Sequence, residues 1–209
     1  MVIRDSEPHP HTRKEQIYET ASALFSRNGY RSTSVRDIAR QLDLQGGSLY
    51  AHITSKEQVL WEIVSRVAES FDAAVRPIAE SDGPAPDRLR RMIHAHIDVL
   101  VQHFSHATVF FQDWRHLGGE RRAEVINLRD RYEALFRQVI VDGVATGQFA
   151  ERDPRLAAIF LLTAMNGIPG WYRSDGERAA EDVANAFAEM LLSGLIATNR
   201  VNAQKGSSA

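Results

Sequence analysis

The chain has 209 residues, 25 Lys and Arg against 27 Asp and Glu, a formal net charge of −2, 44% hydrophobic residues and no cysteine. That composition excludes a disordered or fibrous chain, and the absence of Cys excludes a disulfide scaffold, a cysteine nucleophile and thiolate metal ligation. The opening MVIRDSEPHPH carries no apolar run and no stretch approaches about 18 uncharged apolar residues, so the expectation is a cytoplasmic protein with no secretory signal and no membrane span.

The hydrophobic period is helical almost throughout. Ile17, Ala21, Leu24 and Phe25 share a face of a first helix over 11–28, stopped by Asn28-Gly29. Ser34 and Asp37 are spaced as a capping box for a short second helix reaching Leu42. Asp43-Leu44-Gln45 reads as a tight turn and Gly46–His52 as a third short helix. A second box, Ser55 with Gln58, opens a long helix whose stripe is Val59, Leu60, Ile63, Val64, Val67, Phe71 and Val75. After the break at 81–86 comes a helix carrying Leu89, Met92, Ile93, His96, Ile97, Leu100, Val101 and Phe104. A short apolar segment, Ala107–Trp114, precedes a long helix over 121–145. Asp153-Pro154 opens a helix that meets a kink at Gly167-Ile168-Pro169-Gly170, and a last helix spans Glu177 to Thr198. No segment reads as a strand. The class is all-α, three short helices and then six longer ones, with flexible ends at 1–10 and 201–209.

Two short helices joined by a three-residue turn, with a helix packed behind them, form a helix-turn-helix unit. Ile38, Ala39 and Leu42 face the core, Leu44 plugs the turn and Leu49 anchors the third helix. That leaves Gln45, Gly46, Gly47, Ser48, Tyr50 and His52 on or near the outer face, where hydroxyl, phenol and bare backbone suit phosphates and base edges. Thr33, Ser34 and Arg36 begin the second helix, where backbone contacts are usual, and Lys56 stands at a helix N-terminus favourable to phosphate. The charge is only weakly supportive: 11–60 carry Arg13, Lys14, Arg27, Arg31, Arg36, Arg40 and Lys56 against Glu15, Glu19, Asp37, Asp43 and Glu57.

TSVRDIARQLDLQGGSLYAHITSKEQVL, within residues 12–60, resembles the helix-turn-helix signature of the TetR family of bacterial repressors. Carried over by position, Thr33, Ser34, Arg36, Gln45, Gly46, Gly47, Ser48, Tyr50, His52 and Lys56 are the implied DNA contacts. Ile53 departs from the family's usual Phe. The resemblance implies a DNA-binding domain over 11–55 and a helical effector-binding and dimerisation domain over 56–200. One such unit binds weakly, so a homodimer on a palindromic operator is expected. The last two helices are its expected interface, through Ala157, Ala158, Phe160, Leu161 and Ala164 with Val183, Ala186, Phe187, Met190, Leu191 and Gly194.

Core packing accounts for most of the large apolar residues between 80 and 175. Two motifs are less ordinary: Phe110-Phe111-Gln112-Asp113-Trp114-Arg115-His116-Leu117 and Gly170-Trp171-Tyr172-Arg173. An Arg beside aromatic groups suits an amphipathic anion. Both motifs resemble the TetR branch that controls fatty-acid, phenylacetate or sterol-ring degradation and responds to acyl-CoA thioesters. The resemblance implies an acyl-CoA effector, no cofactor, and ligand contacts among Phe104, Phe111, Trp114, Arg115, Leu117, Tyr132, Phe136, Met165, Trp171 and Arg173; the kink at 167–170 is a departure that would change which acyl group fits. Another hydrophobic effector, a drug or metabolite, is the alternative. A metal is not expected, since His94, His96, His103, His106 and His116 have only Asp98 and Asp113 near in sequence. An enzyme or carrier acting on acyl-CoA is the remote alternative, since Glu124, Asp130 and Glu133 form no nameable catalytic set.

Overall fold

The computed structural model describes residues 12–44, 46–173 and 175–196. The expected arm at 1–10, the tail at 201–209, the end of the last helix at Thr198 and Gln45 lie outside these described residues. The fold is all-α: α1 (Arg13–Asn28), α2 (Val35–Gln41), α3 (Gly46–Leu49), α4 (Lys56–Ala79), α5 (Ala85–Gln102), α6 (Phe104–Gln112), α7 (Gly119–Ala145), α8 (Pro154–Asn166) and α9 (Ala180–Ser193), with 3-10 turns at Trp114–His116 and Ile168–Gly170. No described helix is long and apolar enough to cross a membrane.

Local chemistry sets most boundaries. Thr12 and Glu15 cap α1 reciprocally, and Gly29 ends it with φ +84. Ser34 and Asp37 form the expected box on α2, and Asp43 takes a left-handed φ of 54 to turn the chain toward α3. The box on α4 is split: Ser55 Oγ accepts from the Gln58 N–H (3.0 Å), but the Gln58 carbonyl reaches one residue further back, to the Thr54 N–H (2.7 Å). The α4 stripe is buried from Val59 to Val75 as the spacing requires.

Three boundaries differ from the sequence expectation. α3 ends at Leu49 rather than His52, because Gly46 and Gly47 are weak helix formers and the chain must turn through i→i+3 bonds to reach the Thr54 cap. α8 ends at Asn166, and Pro169, which has no N–H to donate, continues it only as a 3-10 turn. α9 ends at Ser193, and Leu195 and Ile196 extend to bridge Phe149 and Ala150, with the Ala150 N–H donating to the Leu195 carbonyl at 2.8 Å.

Contacts divide the chain into two compact units, and the division interleaves the sequence. The first comprises the described part of Met1–Ala68 with His103–Ile126; the second comprises Glu69–Gln102 with the described part of Asn127–Ala209. In the first, α1 packs on α6, and the buried side chains include Ile17, Tyr18, Phe25, Ile38, Leu49, Ile63, Val109 and Leu117. In the second, α5 packs on α9 and α8, with Leu89, Met92, Ile93, Phe136, Ile140, Leu161 and Leu192 buried. There Arg88 ties two other elements together, donating to the Ala79 carbonyl (2.9 Å) and to Asp142 (2.6 Å). A β-carbon at Gly143 would fall 2.1 Å from the Phe149 ring, so that close approach requires glycine.

Candidate DNA-binding face and effector-side residues

The helix-turn-helix is built as its pattern requires. Ile38, Ala39, Leu49 and Ile53 are buried, and Leu44 is half-buried in the turn. Opposite them Gly47, Ser48 and His52 are exposed, and Tyr50 is 58% exposed, a large apolar ring left in solvent. Nothing lies within 4 Å of a β-carbon built on Gly47, so the backbone there is open to a close approach. Arg36 is exposed on α2, and Ser34 is exposed with its hydroxyl donating to Asp37 at 2.6 Å.

Two expected contacts have another task. Thr33 is buried, and its hydroxyl donates to the Gly29 carbonyl (3.0 Å) at the end of α1, so it closes the α1–α2 turn instead of facing out. Lys56 donates from Nζ to the carbonyls of Tyr30 (2.8 Å) and Thr33 (2.9 Å) and lies 4.1 Å over the Tyr30 ring. Burial pushes its pKa down, and Asp113 opposes that shift. Its ammonium is a staple for the turn before it is a phosphate ligand.

The contacts that hold this turn were not visible in the sequence. Tyr30 stacks on His116 (5.2 Å) and meets Phe25 edge-on (5.1 Å). Asp113 is buried with its carboxylate 3.4 Å from His116 Nδ1; burial raises its pKa, and the Tyr30 backbone, His116 and Lys56 oppose the rise. Glu57 accepts from the Gly118 N–H at 3.2 Å. Each partner is far from the other in sequence, and no local spacing marks the pair.

The effector-side candidates fall in both units. In the first, Trp114 and Leu117 are buried, Phe104 and Phe111 are half-buried, and Arg115 is exposed with its guanidinium 4.9 Å over the Trp114 ring. In the second, Phe136 and Met165 are buried, and Tyr132 meets Phe136 edge-on at 5.5 Å. Trp171 and Arg173 are not brought to that interior: Trp171 is 51% exposed and stacks on Phe187, while Arg173 is exposed near Asp175. Tyr172, between them, is the buried one. His96, which the sequence presents only as a member of a helix stripe, is fully enclosed. It meets the Tyr132 hydroxyl at 2.9 Å and stacks on Phe71 (4.7 Å). Burial pushes its pKa down to about 3, with the nearby Asn166 side chain opposing this, so it is neutral at pH 7.

Of the residues expected at a subunit interface, Ala158, Leu161, Val183 and Leu191 are buried within the subunit. Phe160 on α8 and Met190 on α9 are 65% and 62% exposed, and Leu156, which was not expected there, is 64% exposed.

Comparison with known proteins accords with this geometry. Residues 17–63 match the family described as bacterial regulatory proteins, tetR family, and residues 82–195 match that described as tetracyclin repressor-like, C-terminal domain. The HTH-type transcriptional repressor KstR2 of Mycobacterium tuberculosis is 26% identical over 186 residues, covering 88% of this chain and 93% of that protein. Among solved structures, the TetR-family regulator PfmR of Thermus thermophilus aligns with a TM-score of 0.79 at 35% identity, over 85% of this chain and 97% of that one. AibR in complex with isovaleryl coenzyme A and operator DNA aligns with a TM-score of 0.78 at 25% identity, over 86% and 97%. With both family regions in sequence and the helix-turn-helix in place, the chain belongs to the TetR family of bacterial transcriptional regulators.

Proposed function

We propose that the protein is a homodimeric repressor that binds a palindromic operator and leaves it when an acyl-CoA thioester binds, controlling genes of fatty-acid or related acyl degradation. The observation that carries the operator half is the bare outer face of α3 and its following turn. Gly47, Ser48, Tyr50 and His52 are exposed there while the side chains behind them are committed to holding the face. An exposed Tyr serves no packing purpose in one subunit, and beside phosphate or a thymine methyl it has both a polar and an apolar partner. The effector half is supported by AibR, whose solved complex holds isovaleryl coenzyme A together with operator DNA. Self-association is supported by Leu156, Phe160 and Met190, three large apolar side chains each more than 60% exposed on the last two helices.

The mechanism is a population shift. The acyl-CoA favours a state in which α4, beginning at Lys56, tilts and moves the two recognition helices out of register with their half-sites. A 100-fold loss of operator affinity needs about 2.7 kcal/mol of differential binding, within the usual span of coupling energies.

Sedimentation velocity and isothermal titration of the purified protein test this reading. A dimer that binds medium- or long-chain acyl-CoA, and binds neither free fatty acid nor free coenzyme A comparably, is the expected outcome. Binding of free fatty acid or a cationic dye with none of acyl-CoA would overturn the effector assignment and favour a different hydrophobic effector.

A further inference from the structure

The segment Asp113–Gly118 touches the DNA-binding head at three points, and each contact is of a different kind. The His116 ring stacks on Tyr30 at 5.2 Å. The Asp113 carboxylate, 3.4 Å from His116 Nδ1, faces the Tyr30 backbone and lies in the field of Lys56, whose ammonium donates to the Tyr30 and Thr33 carbonyls at 2.8 and 2.9 Å. The Gly118 N–H donates to Glu57 at 3.2 Å. All three converge on Tyr30–Ser34 or on the start of α4. Tyr30–Ser34 is the link between α1 and α2, so its pose sets where α2 begins and where α3 is presented.

The chemistry of this joint makes it sensitive. Asp113 is 7% exposed, and a buried carboxylate is tolerable only while its partners stay in place. Withdrawing it separates the carboxylate from His116 and takes away the negative charge in whose field Lys56 holds the turn. A small displacement therefore costs several interactions together, which is how a packed joint acquires two discrete states. The same segment is anchored from below by Trp114 (8% exposed) and Leu117 (1%). The motif Trp114-Arg115-His116-Leu117 thus has two buried anchors, one exposed arginine and one ring laid on the head.

We propose that Asp113–Gly118 is a clasp on the Tyr30 turn, with Asp113 and His116 as positioning residues for α2 and α3, and that opening it is how effector binding loosens the DNA-binding face. The clasp rests on the contacts above; its link to the effector rests on the repressor reading.

The test compares full-length wild type with His116→Ala, and with His116→Phe, which keeps a ring for the stack. Hydrogen exchange of the effector-free protein reads the clasp without any ligand. In His116→Ala the amides of Tyr30–Leu42 exchange about tenfold faster while those of α8 and α9 do not change, and His116→Phe restores protection. Operator affinity of the free protein falls about tenfold in His116→Ala, and acyl-CoA then lowers it by only about tenfold further, against about 100-fold in wild type. Unchanged exchange over Tyr30–Leu42, or an equal rise across the whole chain, overturns the clasp. Localised loss of protection with acyl-CoA release still at full amplitude overturns its role in the signal. If acyl-CoA does not release wild type, the repressor reading fails on that arm alone, and the exchange pattern still decides the clasp.

Discussion

The two compact units bury polar groups in opposite ways. Where the α1–α2 turn is held, the polar groups carry charge: Lys56 and Asp113 lie in each other's field, and their neighbours Tyr30, Glu57 and His116 come from several elements. In the second unit the deepest polar group is neutral. His96 shares a hydrogen bond with Tyr132 among Phe71 and Phe136, and its ionisation is suppressed. A charged joint loses much when its partners shift by a fraction of an ångström, whereas a neutral network in an aromatic shell tolerates the apolar surroundings it was built in. The difference separates the part of the molecule suited to switching from the part suited to holding shape.

The largest effect should come from the neutral side. Phe136 is fully buried beside His96 and Tyr132, and Phe136→Ala should cost about 3–5 kcal/mol in denaturant unfolding. Phe160→Ala, at a residue 65% exposed, should change subunit stability by less than about 0.5 kcal/mol while weakening self-association in sedimentation. Equal destabilisation by the two would erase the distinction between buried core and exposed apolar surface. Gly143→Ala forces a methyl into the Phe149 ring and should cost about 1–3 kcal/mol, read as a fall in melting temperature with operator binding per folded molecule retained.

The pH dependence sharpens the comparison next. The folded pKa of His96 is pushed below its unfolded value near 6.5, to about 3, so the unfolded chain binds a proton that the folded one refuses. This contribution is fully present above about pH 6.5 and is lost as pH falls toward 3, with a slope of up to about 1.4 kcal/mol per unit. Between pH 6.5 and pH 5 it amounts to about 2 kcal/mol, and a His96→Gln variant should show a correspondingly flatter profile across that window. Parallel profiles for the two proteins would contradict the assignment of that slope to His96. The smallest effect is at the surface: Tyr50→Ala should lower operator affinity about tenfold with no change in melting temperature.

Much of the head was legible in sequence because its signals are local. The Ser34–Asp37 box, the turn at 43–45 and the spacing of Ile38, Ala39 and Leu49 each lie within a few residues, and the presence of a short α3 and its outer face follow from them, though not its end at Leu49. Thr33 and Lys56 were read as DNA contacts because position at a helix start favours phosphate; long-range hydrogen bonds to Gly29, Tyr30 and the Thr33 carbonyl give them structural work instead. Trp171 was read as a ligand contact because its motif sets an Arg beside aromatic groups and resembles the acyl-CoA-responsive branch, yet it is Tyr172, one position on, that the chain buries. The split box at Thr54, Ser55 and Gln58 shows the limit of motif spacing, since a side chain three residues away can reach past its expected acceptor site. Asp113 and His116 lay in a motif that the sequence marked for another role, but their partner Tyr30 is more than 80 residues away and no local spacing joins them.

The most direct test is fluorescence anisotropy of the full-length protein on a labelled duplex selected from genomic fragments by the protein itself, titrated with acyl-CoA and, as controls, free coenzyme A and free fatty acid. The expected result is tight, salt-sensitive binding that saturating acyl-CoA weakens by about 100-fold and the controls leave in place. Tight binding that acyl-CoA does not change would contradict effector-driven release.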